Sequence, residues 1–313
     1  MMSAIALAAI GLLVAVFIIY FVFPKTFVAL LLRGVRRLAG LRTRSIDVDG
    51  VTWPYLEGGP ESGEVVILLH GFAADKDSWP FYARFLRGQY RVIVPDLPGF
   101  GENAKDPDAD YRVAVQAERL HEFVQAIGID KFHIAGNSMG GFLALEYALA
   151  RPANVITIAL FNNAGVTSAN KSDVELAAAR GKNLLVVSSR REFDALMQFV
   201  VHKPLPLPGV VKREICERAI AEKSFLDPIF WSIFEDTQTR PLDDQLHEIT
   251  APTLIIWGRH DRVIDVSCTE LMQAEIPVNR CVVFEDAGHI PMLECPARCA
   301  SVHRDFLNQH RAA

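Results

Sequence analysis

Five aliphatic residues in succession, Val65-Val66-Ile67-Leu68-Leu69, lead into His70-Gly71. A run without alternation suits a strand buried on both sheet faces. Runs of the same kind recur at Arg91–Asp96, Lys131–Ala135, Val155–Phe161, Thr253–Gly258 and Arg280–Phe284. Between them, apolar residues fall at helical spacing: Trp79, Tyr82, Phe85 and Leu86, then the stretch Tyr111–Ile127, then Leu143 to Ala148. Ahead of the series, Arg44–Val48 and Val51–Leu56 flank Asp49-Gly50, a hairpin signal. Pro296 to His310 reads as a closing helix. Strands alternating with helices predict an α/β fold with a mostly parallel eight-stranded sheet, helices on both faces, and chemistry on loops at the strands' carboxyl ends.

The rhythm stops near Ala164. From residue 165 to 250 no strand pair is evident, and the pattern predicts helices over Ser172–Gly181, Arg191–Val201 and Val210–Phe234, broken at Pro204, Pro206 and Pro208. Large apolar residues crowd this stretch: Phe193, Leu196, Phe199, Leu205, Leu207, Phe225, Phe230, Trp231 and Phe234. A helical lid over the sheet's upper edge is expected, with some of these side chains lining an apolar channel and the rest holding the lid together.

The front of the chain has a different character. No charge interrupts the twenty residues from Ala4 to Phe23, which as a helix would span about 30 Å, the thickness of a bilayer core. No basic residue precedes the run, and Phe21-Val22-Phe23-Pro24 offers no small-residue cleavage site, so an uncleaved anchor is expected rather than a signal peptide. Ala4, Ala8, Gly11 and Ala15 share one face, which would either let two such helices approach closely and form a homodimer or simply face lipid. Beyond Lys25, residues 25–42 read as an amphipathic juxtamembrane helix: Phe27, Leu30, Leu31, Val35 and Leu38 near one face, Arg33, Arg36 and Arg37 on the other, against anionic headgroups. That basic flank fits a cytoplasmic domain, and the same arginines would serve at headgroups on either side of the membrane. The chain thus divides into an anchor (1–24), the juxtamembrane helix (25–42), a first core part (43–164), the lid (165–250) and a second core part (251–313).

Composition narrows the function classes. Of 313 residues 50% are hydrophobic and the net charge is -5, which points away from disorder and from nucleic-acid binding. Five cysteines show no CxxC spacing; they read as buried or idle thiols, and no metal or nucleotide cofactor is suggested.

The candidate chemistry centres on Gly136-Asn137-Ser138-Met139-Gly140. The bare pattern G-x-S-x-G is weak, arising by accident in roughly one chain in ten of this length. Here a strand precedes it and a helix follows. A serine on such a turn is held out above the sheet, with Gly136 and Gly140 leaving room for the bend. A serine hydroxyl needs a base to take its proton and an acid to orient that base. His289, after Ala287-Gly288 just past the last strand, has the best context; His70 ends an interior strand and His260 adjoins an acid. Asp261 leaves a buried strand, whereas Asp286 lies too near His289 in sequence; Asp265 and Glu285 are the other carboxylates at hand. The oxyanion of an ester's tetrahedral intermediate needs preset donors, and the backbone N–H groups of Met139 and Phe72 are the natural pair.

Together, His70-Gly71-Phe72, Asp96-Leu97-Pro98-Gly99-Phe100-Gly101, Gly136-Asn137-Ser138-Met139-Gly140-Gly141, Gly258-Arg259-His260-Asp261 and Gly288-His289 resemble the α/β-hydrolase superfamily over about residues 45–310. With its N-terminal anchor the chain is similar to the monoacylglycerol-lipase-like branch and its bacterial membrane-anchored phospholipases A. The resemblance implies Ser138 as nucleophile, Asp261 and His289 as its partners, and Phe72 with Met139 as oxyanion donors, without cofactor or metal. It also implies a bacterial cytoplasmic membrane location and release of fatty acid from glycerophospholipids and lysophospholipids, as a phospholipase A of the A1 type. Monoacylglycerols or general carboxylic esters are the alternative substrates. Carbon–carbon bond hydrolysis also uses serine on this fold, and a non-catalytic adaptor would be expected to lack a member of the triad.

Overall fold

The computed structural model describes residues 20–311. A helix α1 (Pro24–Leu38) leads through Ala39-Gly40 into the hairpin β1 (Leu41–Val48) and β2 (Val51–Gly58). There follow β3 (Val65–Leu69), a short helix α2 (Pro80–Ala83), β4 (Arg91–Pro95), α3 (Val113–Ala126), β5 (Phe132–Asn137), α4 (Met139–Ala150) and β6 (Val155–Phe161). The sheet resumes with β7 (Thr253–Gly258) and ends with β8 (Asn279–Phe284).

All eight strands form one sheet in the order β1-β2-β4-β3-β5-β6-β7-β8. β2 pairs antiparallel with β1 and with β4, and every other pairing is parallel. β3 and β5 are buried at every position, which explains why their sequences show no alternation. One core layer joins α3 and α4 to the sheet through Phe123, Phe132, Phe142 and Trp257. The other packs Trp79, Tyr82 and Phe161 against the final helix. Burial on both faces leaves the loops at the carboxyl ends of β3, β5, β7 and β8 as the sites where polar side chains can gather.

Between β6 and β7 lie α5 (Asp173–Ala178), α6 (Arg190–Phe199), α7 (Gly209–Ala221) and α8 (Lys223–Thr239). The long helix expected over Val210–Phe234 is two helices, divided at Glu222. The three prolines at 204, 206 and 208 fall in the irregular segment before α7, where their missing N–H groups cost no helical bond. A helix α9 (Cys268–Glu275) provides the crossover from β7 to β8 that the sequence pattern did not single out, and α10 (Pro291–Glu294) and α11 (Pro296–Gln309) close the chain.

The helix expected over residues 25–42 is shorter than that range. It ends at Leu38, and Leu41-Arg42 already belong to β1, because Gly40 at φ +69 turns the chain out of the helix. Its arginines also divide differently: Arg33 and Arg37 are exposed, but Arg36 is buried, its guanidinium bonded to Asp77 rather than turned to headgroups. The apolar run Ala4–Phe23 lies outside the described residues except for Tyr20–Phe23. Among the described residues no helix is long and apolar enough to cross a membrane.

Candidate active site

Ser138 occupies the turn between β5 and α4 with φ 56 and ψ -119. A non-glycine residue is held there only when its surroundings fix it. The Ser138 N–H donates to Phe161 O at 3.0 Å, and the Ser138 carbonyl accepts from Gly141, Phe142 and Ala164. The glycines flanking it have no freedom to be anything else. A Cβ on Gly136 would lie 2.0 Å from Gly140 O, and one on Gly140 would lie 2.5 Å from the carbonyl oxygens of Leu69 and His70. The tight bend thus brings α4 down onto β5 and β3 and leaves the hydroxyl facing a cleft. Ser138 makes no side-chain hydrogen bond among the described residues, and its side chain lines that cleft.

Asp261 and His289 come from the loops after β7 and β8. His289 Nδ1 lies 2.8 Å from Asp261 Oδ2, with both residues buried. The carboxylate is fixed further by the N–H groups of Val263 (2.8 Å) and Ile264 (3.1 Å) at Oδ1. The His289 loop is held from several sides. Its own N–H donates to Val200 O at 2.9 Å, Gly288 N–H donates to Glu294 Oε1 at 2.8 Å, and Asn137 Nδ2 donates to His289 O at 3.0 Å. That last bond joins the residue beside Ser138 directly to the histidine loop.

The other histidines and carboxylates weighed from sequence are engaged elsewhere. His70 is buried, with Nδ1 2.9 Å from Gly71 O and Nε2 accepting from Leu97 N–H at 3.0 Å. Because Nε2 accepts a hydrogen bond, the ring bridges the loops after β3 and β4, and burial lowers its pKa. His260 is exposed and stacks on His202, ring centres 3.9 Å apart. Asp286 pairs with Arg298 and Lys203, Glu285 with Arg259, and Asp265 accepts from Ser267 N–H.

The candidate oxyanion donors also meet here. Met139 is the first residue of α4, where N–H groups have no intrahelical acceptor. Phe72 follows Gly71, which packs so close to Ser138 that a Cβ on it would lie 3.2 Å from Ser138 Cβ. Neither the Phe72 nor the Met139 N–H donates to another group among the described residues.

Two side chains at this centre were not found from sequence. Asn162, at the end of β6 with φ 47, donates from Nδ2 to Asp261 Oδ2 at 2.6 Å, while its Oδ1 accepts from Gly258 N–H at 3.3 Å. The pair Asn162-Asn163, buried directly after the apolar run of β6, was the available signal. Glu294 is the second, and its spacing from Gly288 gave no comparable sign.

The cleft beside Ser138 encloses a cavity of about 140 Å³ and is open to solvent at its mouth. Phe72, Met139, Val174, Leu185, Phe230, Ile233, Phe234, Val263 and Ile264 give it apolar walls, and Ser168, Lys171 and Gln238 are among its polar members. Of the large residues expected to line a channel, Phe230 and Phe234 do. Phe193 and Leu196 instead join a small cluster with Val187 and Cys216, and Phe225 packs on Tyr111. Among the described residues no group of three or more His, Cys, Asp or Glu side chains could hold a metal ion.

A mostly parallel sheet with a strained serine after its fifth strand and an Asp–His pair after its last two defines a hydrolase architecture. The chain belongs to the Alpha/beta hydrolase family, whose sequence profile matches residues 66–302. It is similar over its full length to a bacterial membrane phospholipase A, PlaF, described as a virulence factor: 41% identity, TM-score 0.91, 100% of both chains covered. Lipase 1 of Psychrobacter immobilis is 35% identical over 276 residues, 87% of this chain and 86% of that protein. Monoacylglycerol lipase ABHD6 of Rattus norvegicus is 29% identical over 282 residues, 87% of this chain and 84% of that protein.

Proposed function

We propose that this chain, an ester hydrolase, releases fatty acids from glycerophospholipids and lysophospholipids at a membrane surface, as a phospholipase A of the A1 type. The observation that carries the reading is the apolar cleft lined by Ser138, Phe72 and Met139, with neither the Phe72 nor the Met139 N–H donating to another group among the described residues. In the proposed cycle, His289, oriented by Asp261, takes the proton of Ser138 as its Oγ attacks the acyl carbonyl. The N–H groups of Phe72 and Met139 receive the developing oxyanion, His289 then protonates the leaving alcohol, and water releases the fatty acid by the same steps in reverse roles.

Helices α5 to α8 are proposed as the lid. They supply Phe230, Ile233 and Phe234 to the cleft wall, and Val200, just past α6, binds the His289 loop. The run Ala4–Phe23 is proposed as a single-pass anchor in the bacterial cytoplasmic membrane, holding the cleft where an acyl chain need move little to enter. Self-association along Ala4, Ala8, Gly11 and Ala15 is proposed with it.

Monoacylglycerol hydrolysis is the second reading, favoured by the similarity to the monoacylglycerol lipase. Incubating the full chain in mixed micelles with defined phospholipids, lysophospholipids and monoacylglycerols, and identifying products by mass spectrometry, separates the two. Free fatty acid with sn-2 lysophospholipid supports the first reading. Turnover of monoacylglycerol alone supports the second and overturns the first.

A further inference from the structure

The turn that follows Phe72 carries a dense set of ion pairs, buried at Arg36, Lys76 and Asp96 and reaching solvent at Glu102 and Arg218, and several elements converge on it. From α1, Arg36 Nε lies 2.7 Å from Asp77 Oδ1 and Nη2 lies 2.6 Å from Asp77 Oδ2, a two-pronged pair. From the loop after β4, Asp96 accepts from Lys76 twice, Nζ to Oδ2 at 2.6 Å and N–H to Oδ1 at 2.8 Å. Glu102 lies 3.1 Å from Lys76 Nζ and 3.4 Å from Arg36 Nη2, linking the two pairs. From α7, Arg218 Nη2 lies 2.9 Å from Asp75 Oδ2. α1 itself packs against α7. The turn is joined back to the reaction centre by Ala74 N–H, which donates to Gly71 O at 3.2 Å.

We propose that α1 is a positioning element for the candidate oxyanion donor: Arg36, by clamping Asp77, fixes the turn 71–78 and with it the direction of the Phe72 N–H. The inference rests on the reading of that N–H as a donor to the oxyanion. Its physical basis is that Arg36 and Lys76 are 8% and 1% exposed. Removing Arg36 leaves the Asp77 carboxylate, only 14% exposed, without its charge partner. Asp77 then has to move toward water or toward another donor, and the backbone five residues from Phe72 moves with it. A donor aimed at the oxyanion acts on the tetrahedral state more than on the bound ester, so its displacement lowers kcat rather than raising KM.

The test uses the full chain in detergent micelles with a soluble short-chain p-nitrophenyl ester, so that membrane entry plays no part. Arg36→Ala and Asp77→Asn are compared with the parent, with thermal melting to establish that each is folded. Both variants are expected to lose about 10- to 100-fold in kcat, the scale of a misplacement near 1 Å, while KM stays within about threefold. Affinity for a trifluoromethyl ketone, whose adduct with serine carries an oxyanion, should fall by the same factor as kcat. Arg36→Lys, which keeps the charge but not the fork, should recover part of both. An unchanged kcat in either folded variant, or a lost kcat with undiminished ketone affinity, would overturn the proposal. Should Arg36→Ala not fold, Asp77→Asn decides alone. Failure of the proposed serine ester-hydrolase function shows separately, as retained hydrolysis by Ser138→Ala.

Discussion

Asn162 Nδ2 lies 2.6 Å from Asp261 Oδ2, the same oxygen that His289 Nδ1 approaches at 2.8 Å. The amide therefore sets where the carboxylate can sit and, through it, which way the imidazole faces. Asn162 is held at φ 47, a left-handed conformation that asparagine tolerates better than most residues.

Removing that amide separates its two roles. Asn162→Gly keeps the backbone conformation and deletes the donor, so kcat should fall by about tenfold or more, in line with ~1.5–3 kcal/mol for a hydrogen bond to a charged group. Asn162→Asp should lose more, since a second carboxylate would face Asp261 at contact distance. Steady-state kinetics on a soluble ester checks both; equal activity of the glycine variant and the parent would contradict the role assigned to the amide.

The glycines of the serine turn make a steric prediction. The nearest atom to a Cβ on Gly136 is a backbone oxygen at 2.0 Å, which cannot rotate away. Gly136→Ala should destabilise the fold by about 3 kcal/mol or more, read as a lower urea midpoint or loss of folded product. Gly209→Ala, where no atom lies within 4 Å, is the control that should melt with the parent.

Acid should weaken the fold through its buried imidazoles. Burial pushes His303 down to about 3 and His133 down to about 4. In the unfolded chain both titrate near 6.5, so between there and the folded values the unfolded state binds more protons and stability falls as pH falls. Each histidine contributes up to about 1.4 kcal/mol per pH unit in that window. Chemical denaturation between pH 7 and 4 should show this slope, and His133→Gln should flatten it.

The cleft wall predicts a change of chain-length preference. Ile233 is buried and borders the cleft together with Phe230 and Phe234. Ile233→Trp should lower kcat/KM for long-chain esters by about tenfold or more while sparing butyrate esters, because the added ring occupies space only the longer chain needs. Equal losses on both substrates would place the acyl chain elsewhere.

How much of this was legible in the sequence follows from where the residues sit. Strands buried on both faces must be apolar throughout, so Val155–Phe161 and Thr253–Gly258 were readable with the bounds observed. The α9 crossover and the break at Glu222 were not. Helix ends there are set by packing against neighbours, and Pro228 sits inside α8 rather than ending it. At the site, Ser138 and its glycines are local in sequence and so announce themselves. Asn162 and Glu294 act across loops 99 and 6 residues away, and such contacts leave no spacing signal. Arg36 shows the same limit: its place on an amphipathic pattern suggested lipid, while its partner, Asp77, lies 41 residues on.

Ser138 as the group that carries the acyl chain is the claim on which the rest depends. Treating the full chain with a fluorophosphonate, digesting it and locating the adduct by mass spectrometry tests that directly. The adduct should sit on Ser138 at one per chain, lipid hydrolysis should disappear in proportion to labelling, and Ser138→Ala should neither label nor turn over substrate. An adduct on another residue, or undiminished hydrolysis by Ser138→Ala, would contradict it.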